Sequence, residues 1–258
     1  MVRSFLDDLC ACVRFWSRLP APFCAEAFGA PDFARIVRAL PLAGLLIAAP
    51  GAMVLAGAHA VDLPPLASAA LALMTLAAIT GGFHEDGLAD CADALGGYTP
   101  ERRLDIMKDS RVGAFGALAL TFSVLVRAAA LAAMLVVSPA VACATFLGAA
   151  GFARVVGLTP LTFLPPARPD GFGPLAQQGG PPLTMAWIGA AACAFLPMAA
   201  GVSPARLWLA ATLAVAAAAL TVPYARARFG GATGDVAGAA EQIAEMTYLL
   251  TVSAGLKP

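Results

Sequence analysis

The chain has 258 residues, 60% of them hydrophobic and only 12% charged, with a mean hydropathy of +0.81, whereas ordinary soluble domains carry roughly 25% charged residues. Its 16 basic and 16 acidic side chains cancel, so there is no basic excess for general nucleic-acid binding. Repeated apolar spans imply an all-α, polytopic membrane bundle, because only helices or closed barrels satisfy the backbone in lipid; abundant Ala and Leu without strand alternation argues against a barrel.

Residues 3 to 19 place Phe5, Leu6, Leu9, Val13 and Trp16 at helical spacing among Arg3, Asp7, Arg14 and Arg18, the pattern of an interfacial amphipathic helix. Pro20 and Pro22 end it. Its early charges do not fit a cleaved signal peptide. A first apolar span runs from about 36 to 58 and a second, shortish one from about 66 to 80. Later spans are expected at about 112–137, 141–164, 183–200 and 207–222, with a last helix at 236–253, giving about six to seven membrane helices in one integral-membrane domain over 1–258. Arg127 and Arg154 fall inside spans, where an unpaired charge costs a few kcal/mol; an interior ion pair and substrate-phosphate binding are both open for them. The Pro- and Gly-rich segment 165–182 reads as a polar loop carrying Arg168 and Asp170. The six cysteines include no CxxC pair and read as small core residues rather than a metal or disulfide framework.

Between the second and third spans the character changes. Seven of the 16 acidic residues lie from Glu85 to Asp109. On a helix Asp86, Asp90 and Asp93 sit at i, i+4 and i+7, within about 60° of arc, a carboxylate wall that a divalent cation would neutralise. Oxygen donors of this kind suit Mg²⁺, Mn²⁺ or Ca²⁺ rather than Zn²⁺. The basic group Arg102, Arg103, Lys108 and Arg111 follows. Metal-holding carboxylates beside cations able to hold phosphate oxygens describe phosphoryl transfer. Near the C-terminal end, Gly230, Gly231 and Gly234 in GGATGD permit close backbone approach. A helix beginning after Thr233 and Gly234 would offer free N–H groups to an anion. Glu241 and Glu245 form a second carboxylate pair at i, i+4.

The strings HEDGLADCADALGG and IMKDSRVGAFGA, FWSRLPAP at 15–22 and GGATGDVAGAAEQIAE at 230–245 resemble the cobalamin synthase family, the adenosylcobinamide-GDP ribazoletransferases, over nearly the whole chain. The resemblance implies an integral membrane enzyme that takes adenosylcobinamide-GDP as donor and α-ribazole or its 5′-phosphate as acceptor, and releases GMP. On that basis Mg²⁺ at Asp86, Asp90 and Asp93 would bridge the diphosphate, with Glu85 or His84 accepting the proton of the attacking hydroxyl. Lys108, Arg111 and Arg102 would clamp phosphate oxygens, and Asp109 would orient them or add a metal ligand. Asp235, Glu241 and Glu245 would complete a second metal position. Arg18, Arg154, Arg168, Thr233 and Gly234 are the further substrate contacts expected.

With the N-terminus in the cytoplasm, the basic groups at 3–38, 102–111, 168 and 226–228 share that side, as the positive-inside rule requires. The expected location is the bacterial inner membrane with the site, including loops 165–182 and 224–240, facing the cytoplasm. Whether the chain works alone or in a membrane complex with other cobamide-assembly enzymes stays open. Two other readings are weaker. A CDP-alcohol phosphotransferase needs Ala-Arg soon after Asp-Gly and a later Gly-x3-Asp-x3-Asp, and a cation transporter usually carries its acids midway along broken helices in two related halves.

Overall fold

The computed structural model describes residues 2–20, 31–168 and 180–256; Asp170 lies outside them. Among the described residues the regular structure is helical, with one isolated bridge between Pro166 and Ala232. Helix α1 (Val2–Trp16) buries Cys12, Val13 and Trp16. Its Asp8, with no exposed surface, receives Arg35 Nε at 2.9 Å and Arg38 Nη2 at 2.6 Å. Those arginines lie within the short helix α2 (Phe33–Ile36) and the 3-10 turn that follows it, Val37–Ala39. The amphipathic helix is thus pinned by a charged clamp to the foot of the first span.

That span continues as α3 (Leu40–Ala60), with Pro41 in its first turn, where the missing N–H costs nothing. The chain returns through α4 (Pro65–Thr80) and then takes two left-handed residues, Gly81 at φ 72° and Gly82 at φ 70°. Glycine adopts that conformation without the clash a Cβ would bring. Helix α5 (Phe83–Asp93) leaves at 91° to α4. The short α6 (Pro100–Ile106), capped by Thr99, precedes α7 (Ala114–Val137). Asp93 serves the start of α7, its carboxylate accepting from Gly113 N at 2.7 Å and Gly116 N at 2.8 Å. Helix α8 (Pro139–Val156), capped by Ser138, runs on into α9 (Thr159–Phe163). Helices α10 (Gly180–Ala194), α11 (Pro204–Ala219), α12 (Thr221–Phe229) and α13 (Gly234–Ser253) complete the bundle.

Among the described residues five helical stretches are long and apolar enough to cross a membrane, Phe33–Ala60, Ala114–Val137, Pro139–Phe163, Gly180–Ala200 and Pro204–Phe229, and the bent pair α4–α5, taken as one span, makes six. The 20-residue α13 carries three acids yet packs within the bundle against α5, α7, α8 and α11. The spans expected from hydropathy correspond to these elements, with ends shifted by a few residues. One cysteine differs from expectation: Cys10 is disulfide-bonded, while Cys12, Cys91, Cys143 and Cys193 are free.

The polar ends of the helices collect together. Arg18 N donates to Ile79 O, tying the end of α1 to the end of α4. Arg103 reaches the carbonyl of Arg228, and Ala167 N that of Ala232. At the opposite end Arg206 donates to the Val252 and Gly255 carbonyls. Because lipid gives helices little hydrophobic reason to associate, their contacts depend on close fit between small residues. The α3–α8 seam is built this way: a Cβ on Gly44 would stand 2.6 Å from Ala150 O and 2.8 Å from Gly151 Cα. Gly44→Val is therefore expected to destabilise the bundle by about 1–3 kcal/mol, the cost of overpacking, seen as a lower unfolding midpoint in detergent.

Candidate active site

The acidic wall takes shape where α13 lands on α5. Gly87 lets them touch, since a Cβ there would come within 2.8 Å of Asp235 O. Asp235, in the first turn of α13, thereby joins two members of the predicted wall. Asp86 is exposed and Asp90 partly so. Asp90 feels the charges of Asp86, Asp235 and Asp93, with Arg168 as the opposing cation.

Arg168 comes to this place by a short backbone zipper, in which Ala232 N donates to Pro165 O at 2.8 Å and Ala167 N to Ala232 O at 2.9 Å. Its Nη2 approaches Met107 Sδ at 3.9 Å, while its buried Nε has no hydrogen-bond partner. Thr233 caps α13 by accepting from Val236 N, and its hydroxyl and Arg168 both face Asp235. Three carboxylates, one incompletely bonded guanidinium and a helix start therefore meet.

Oxygen donors of this type fit Mg²⁺. Among the described residues no three His, Cys, Asp or Glu side chains form a ready-made cage. Mg²⁺ characteristically takes one or two carboxylates and completes its shell with water and substrate phosphate oxygens.

The other predicted carboxylates have protein partners. Asp93 is occupied with the start of α7. Glu85 and Glu245 share the buried Arg127, whose Nη1 lies 3.2 Å from Glu85 Oε1 and 3.3 Å from Glu245 Oε2. Of the two roles left open for Arg127, the structure gives the interior ion pair. Glu241 accepts from Gln242 Nε2 at 3.0 Å and lies 3.9 Å from His84 Nδ1; Gln242 in turn accepts from Ser123. Asp109, outside the spans, is held by the fork of Arg111 at 2.6–3.2 Å, which depresses its carboxyl to about 2. Lys108 and Arg102 are exposed nearby in sequence, and the Arg18 guanidinium covers Gly81.

On the inner side of the α5–α13 seam is a small cleft, bounded by Trp16, Phe83, Leu158 and Leu161 and reached by His84, Arg154, Gly234 and Glu241. Arg154 is 4% exposed; its Nη1 donates to Ala150 O at 2.7 Å and its Nε has no partner. The expected substrate contacts Arg154 and Gly234 thus border this cleft, whereas Thr233 and Arg168 serve the acidic side. The sequence reading did not single out Asp8, Ser123 or Gln242. The polar positions 123 and 242 inside apolar helices were the available signal, and their pairing across 119 residues was not.

The family model described as cobalamin-5-phosphate synthase matches residues 8–253. A protein of Azorhizobium caulinodans named adenosylcobinamide-GDP ribazoletransferase is 43% identical over 98% of this chain and 97% of its own. Proteins of the same name from Xanthobacter autotrophicus, 42% identical over 95% of each chain, and Allorhizobium ampelinum, 38% identical over 98% of each, are similar along their whole lengths. No solved structure matches. A match through every helix that builds the acidic wall, the Arg127 clamp and the cleft means that this chain belongs to the cobalamin-5-phosphate synthase family.

Proposed function

We propose that the chain is a Mg²⁺-dependent transferase of the inner membrane, joining adenosylcobinamide-GDP to α-ribazole or its 5′-phosphate with release of GMP. The observation that carries this reading is the meeting of Asp86, Asp90 and Asp235 with Arg168 at one end of the bundle. The names of the relatives support the donor. A hydroxyl of the acceptor ribose attacks the phosphorus that carries the cobinamide; a new P–O bond forms, the P–O bond to GMP breaks, and the hydroxyl proton leaves to a base. Mg²⁺ held by one or two of Asp86, Asp90 and Asp235 would polarise the diphosphate and offset the charge that grows on the departing GMP.

Arg168, with its free Nε edge, holds a nonbridging phosphate oxygen, and exposed Lys108 and Arg102 draw the anionic donor to the rim. His84 and Glu85 look inward toward Glu241 and Arg127. Proton acceptance therefore falls to Asp86 or Asp90, which remain open to solvent. Acids at the ends of helices, rather than midway along them, separate this reading from an ion-transport site. The cytoplasmic orientation is supported by charge: Arg206 is the only Lys or Arg among the described residues at the opposite end, as the positive-inside rule requires.

Reconstituted protein given donor, acceptor and Mg²⁺ is expected to release GMP, with release abolished by EDTA. Asp86→Asn or Asp90→Asn should cut it by roughly a hundredfold or more, the scale of losing one transition-state electrostatic partner; near-normal rates would defeat the metal assignment. Arg168→Met should raise KM and lower kcat together, read from initial rates. Arg127→Met should act on folding instead, costing about 3–5 kcal/mol by leaving buried carboxylates unpaired. Adding Glu245→Gln should restore part of the unfolding midpoint.

A further inference from the structure

We infer that Gly87 is the positioning residue that sets which divalent cation the acidic wall accepts, because it fixes the gap between the carboxylates of α5 and Asp235 on α13; the inference rests on the metal-dependent reading above. Gly87 lies inside α5 and is not among the glycines with positive φ, so alanine, the better helix former, would suit the backbone there. Nothing within α5 calls for glycine. The reason lies across the seam: a Cβ on Gly87 would stand 2.8 Å from Asp235 O, 3.0 Å from its Cα and 3.3 Å from its carbonyl carbon. All three are backbone atoms, which no side-chain rotation can move aside.

The start of α13 is held on both sides of this contact. Just before Asp235, Ala232 is zipped to Pro165 and Ala167. Further along the helix, Glu245 is held by Arg127, about 15 Å away at 1.5 Å per residue. A side chain at position 87 therefore displaces the turn between these anchors, and Asp235 with it. Parting the backbones from 2.8 Å to the 3.4 Å at which ordinary contact begins carries Asp235 0.6 Å away from α5. Gly238 keeps the next turn close as well, since a Cβ there would come 3.3 Å from His84 O and 3.5 Å from Gly87 Cα.

A displacement of that size decides the ion. Mg²⁺ takes oxygen ligands at about 2.0–2.1 Å in near-ideal octahedral geometry, whereas Ca²⁺ takes them at about 2.3–2.6 Å in a flexible shell. A cation bridging Asp235 and one α5 carboxylate, Asp86 or Asp90, would share the extra distance between two bonds, about 0.3 Å each, which is the difference between the two ions. Aspartate, with a single methylene, has little reach to absorb it. The seam without a side chain at position 87 thus favours the smaller ion, and a methyl group there favours the larger.

The test uses the full-length protein in liposomes, with Mn²⁺ as a paramagnetic probe of the site and Mg²⁺ or Ca²⁺ as displacing ions, so that it reads occupancy without turnover. The quantity measured is the ratio of the Ca²⁺ and Mg²⁺ concentrations that displace half of the Mn²⁺. Asp235→Asn should weaken Mn²⁺ binding by about tenfold or more. Gly87→Ala should move the displacement ratio at least about tenfold in favour of Ca²⁺. Gly238→Ala, a gentler wedge in the same seam, should move it the same way by a smaller factor, and it carries the test if Gly87→Ala does not fold. Gly44→Ala, an intrusion in the α3–α8 seam, which bears none of these acids, should lower the unfolding midpoint and leave the ratio within about twofold. An unchanged ratio in both α5–α13 variants, or the same shift in Gly44→Ala, would overturn the inference. GMP release in the same preparations separates the two levels. Wild-type protein whose release needs Mg²⁺, while the ratio ignores both seam variants, defeats the role of Gly87 alone. Mn²⁺ binding indifferent to Asp235→Asn, together with GMP release that EDTA leaves untouched, defeats the metal reading and this inference with it.

Discussion

The guanidinium of Arg127 is the point on which the interior depends. It is 2% exposed and faces Glu85 on α5 and Glu245 on α13, so it joins three helices that hydrophobicity alone has little power to sort within lipid. A charge there is tolerable only when matched, and matching it fixes the depth and rotation of α5 and α13 relative to α7. With those two helices set, Gly87 meets the Asp235 backbone and the acidic wall acquires its third member. The site's geometry is thus a by-product of satisfying one buried cation.

Around this clamp the bundle is assembled by close contact rather than by large side chains. Ala43, Ala142, Ala149, Ala153, Ala190, Ala214 and Ala240 have no exposed surface. Alanine and glycine let backbones approach, and dispersion between many atom pairs replaces the solvent-driven term that operates in water. Tyr248 is an exception that shows the constraint: its bulk is fully buried, and its hydroxyl is satisfied by the Ala194 carbonyl.

Much of this was written in the chain. The apolar spans, the end of the second one at about residue 80 and the i, i+4, i+7 acids follow from spacing and composition, and helix spacing put Asp86 and Asp90 on a common face. Spacing treats Asp93 as their equal, yet its oxygens go to Gly113 and Gly116, because a helix start needs acceptors as much as a metal does. Glu85 and Glu245 are similar cases: both are acids in suggestive places, but Arg127, 42 residues from one and 118 from the other, claims them. Asp235 had an evident local role at the start of α13. That it meets Asp86 and Asp90 depends on how α13 lies across α5, a tertiary fact that no window of sequence contains.

The division of that clamp between distant parts of the chain has a consequence for biogenesis. Helices α5 and α7 leave the ribosome more than a hundred residues before α13, so during insertion Arg127 has Glu85 alone for company. Glu245, Asp235 and Glu241 arrive together on one helix, too acidic to be an ordinary membrane anchor and accommodated only by partners already in place. The bundle therefore closes around a keystone synthesised late, and the chain gains its internal charge balance, its third wall carboxylate and one side of its cleft in a single docking event.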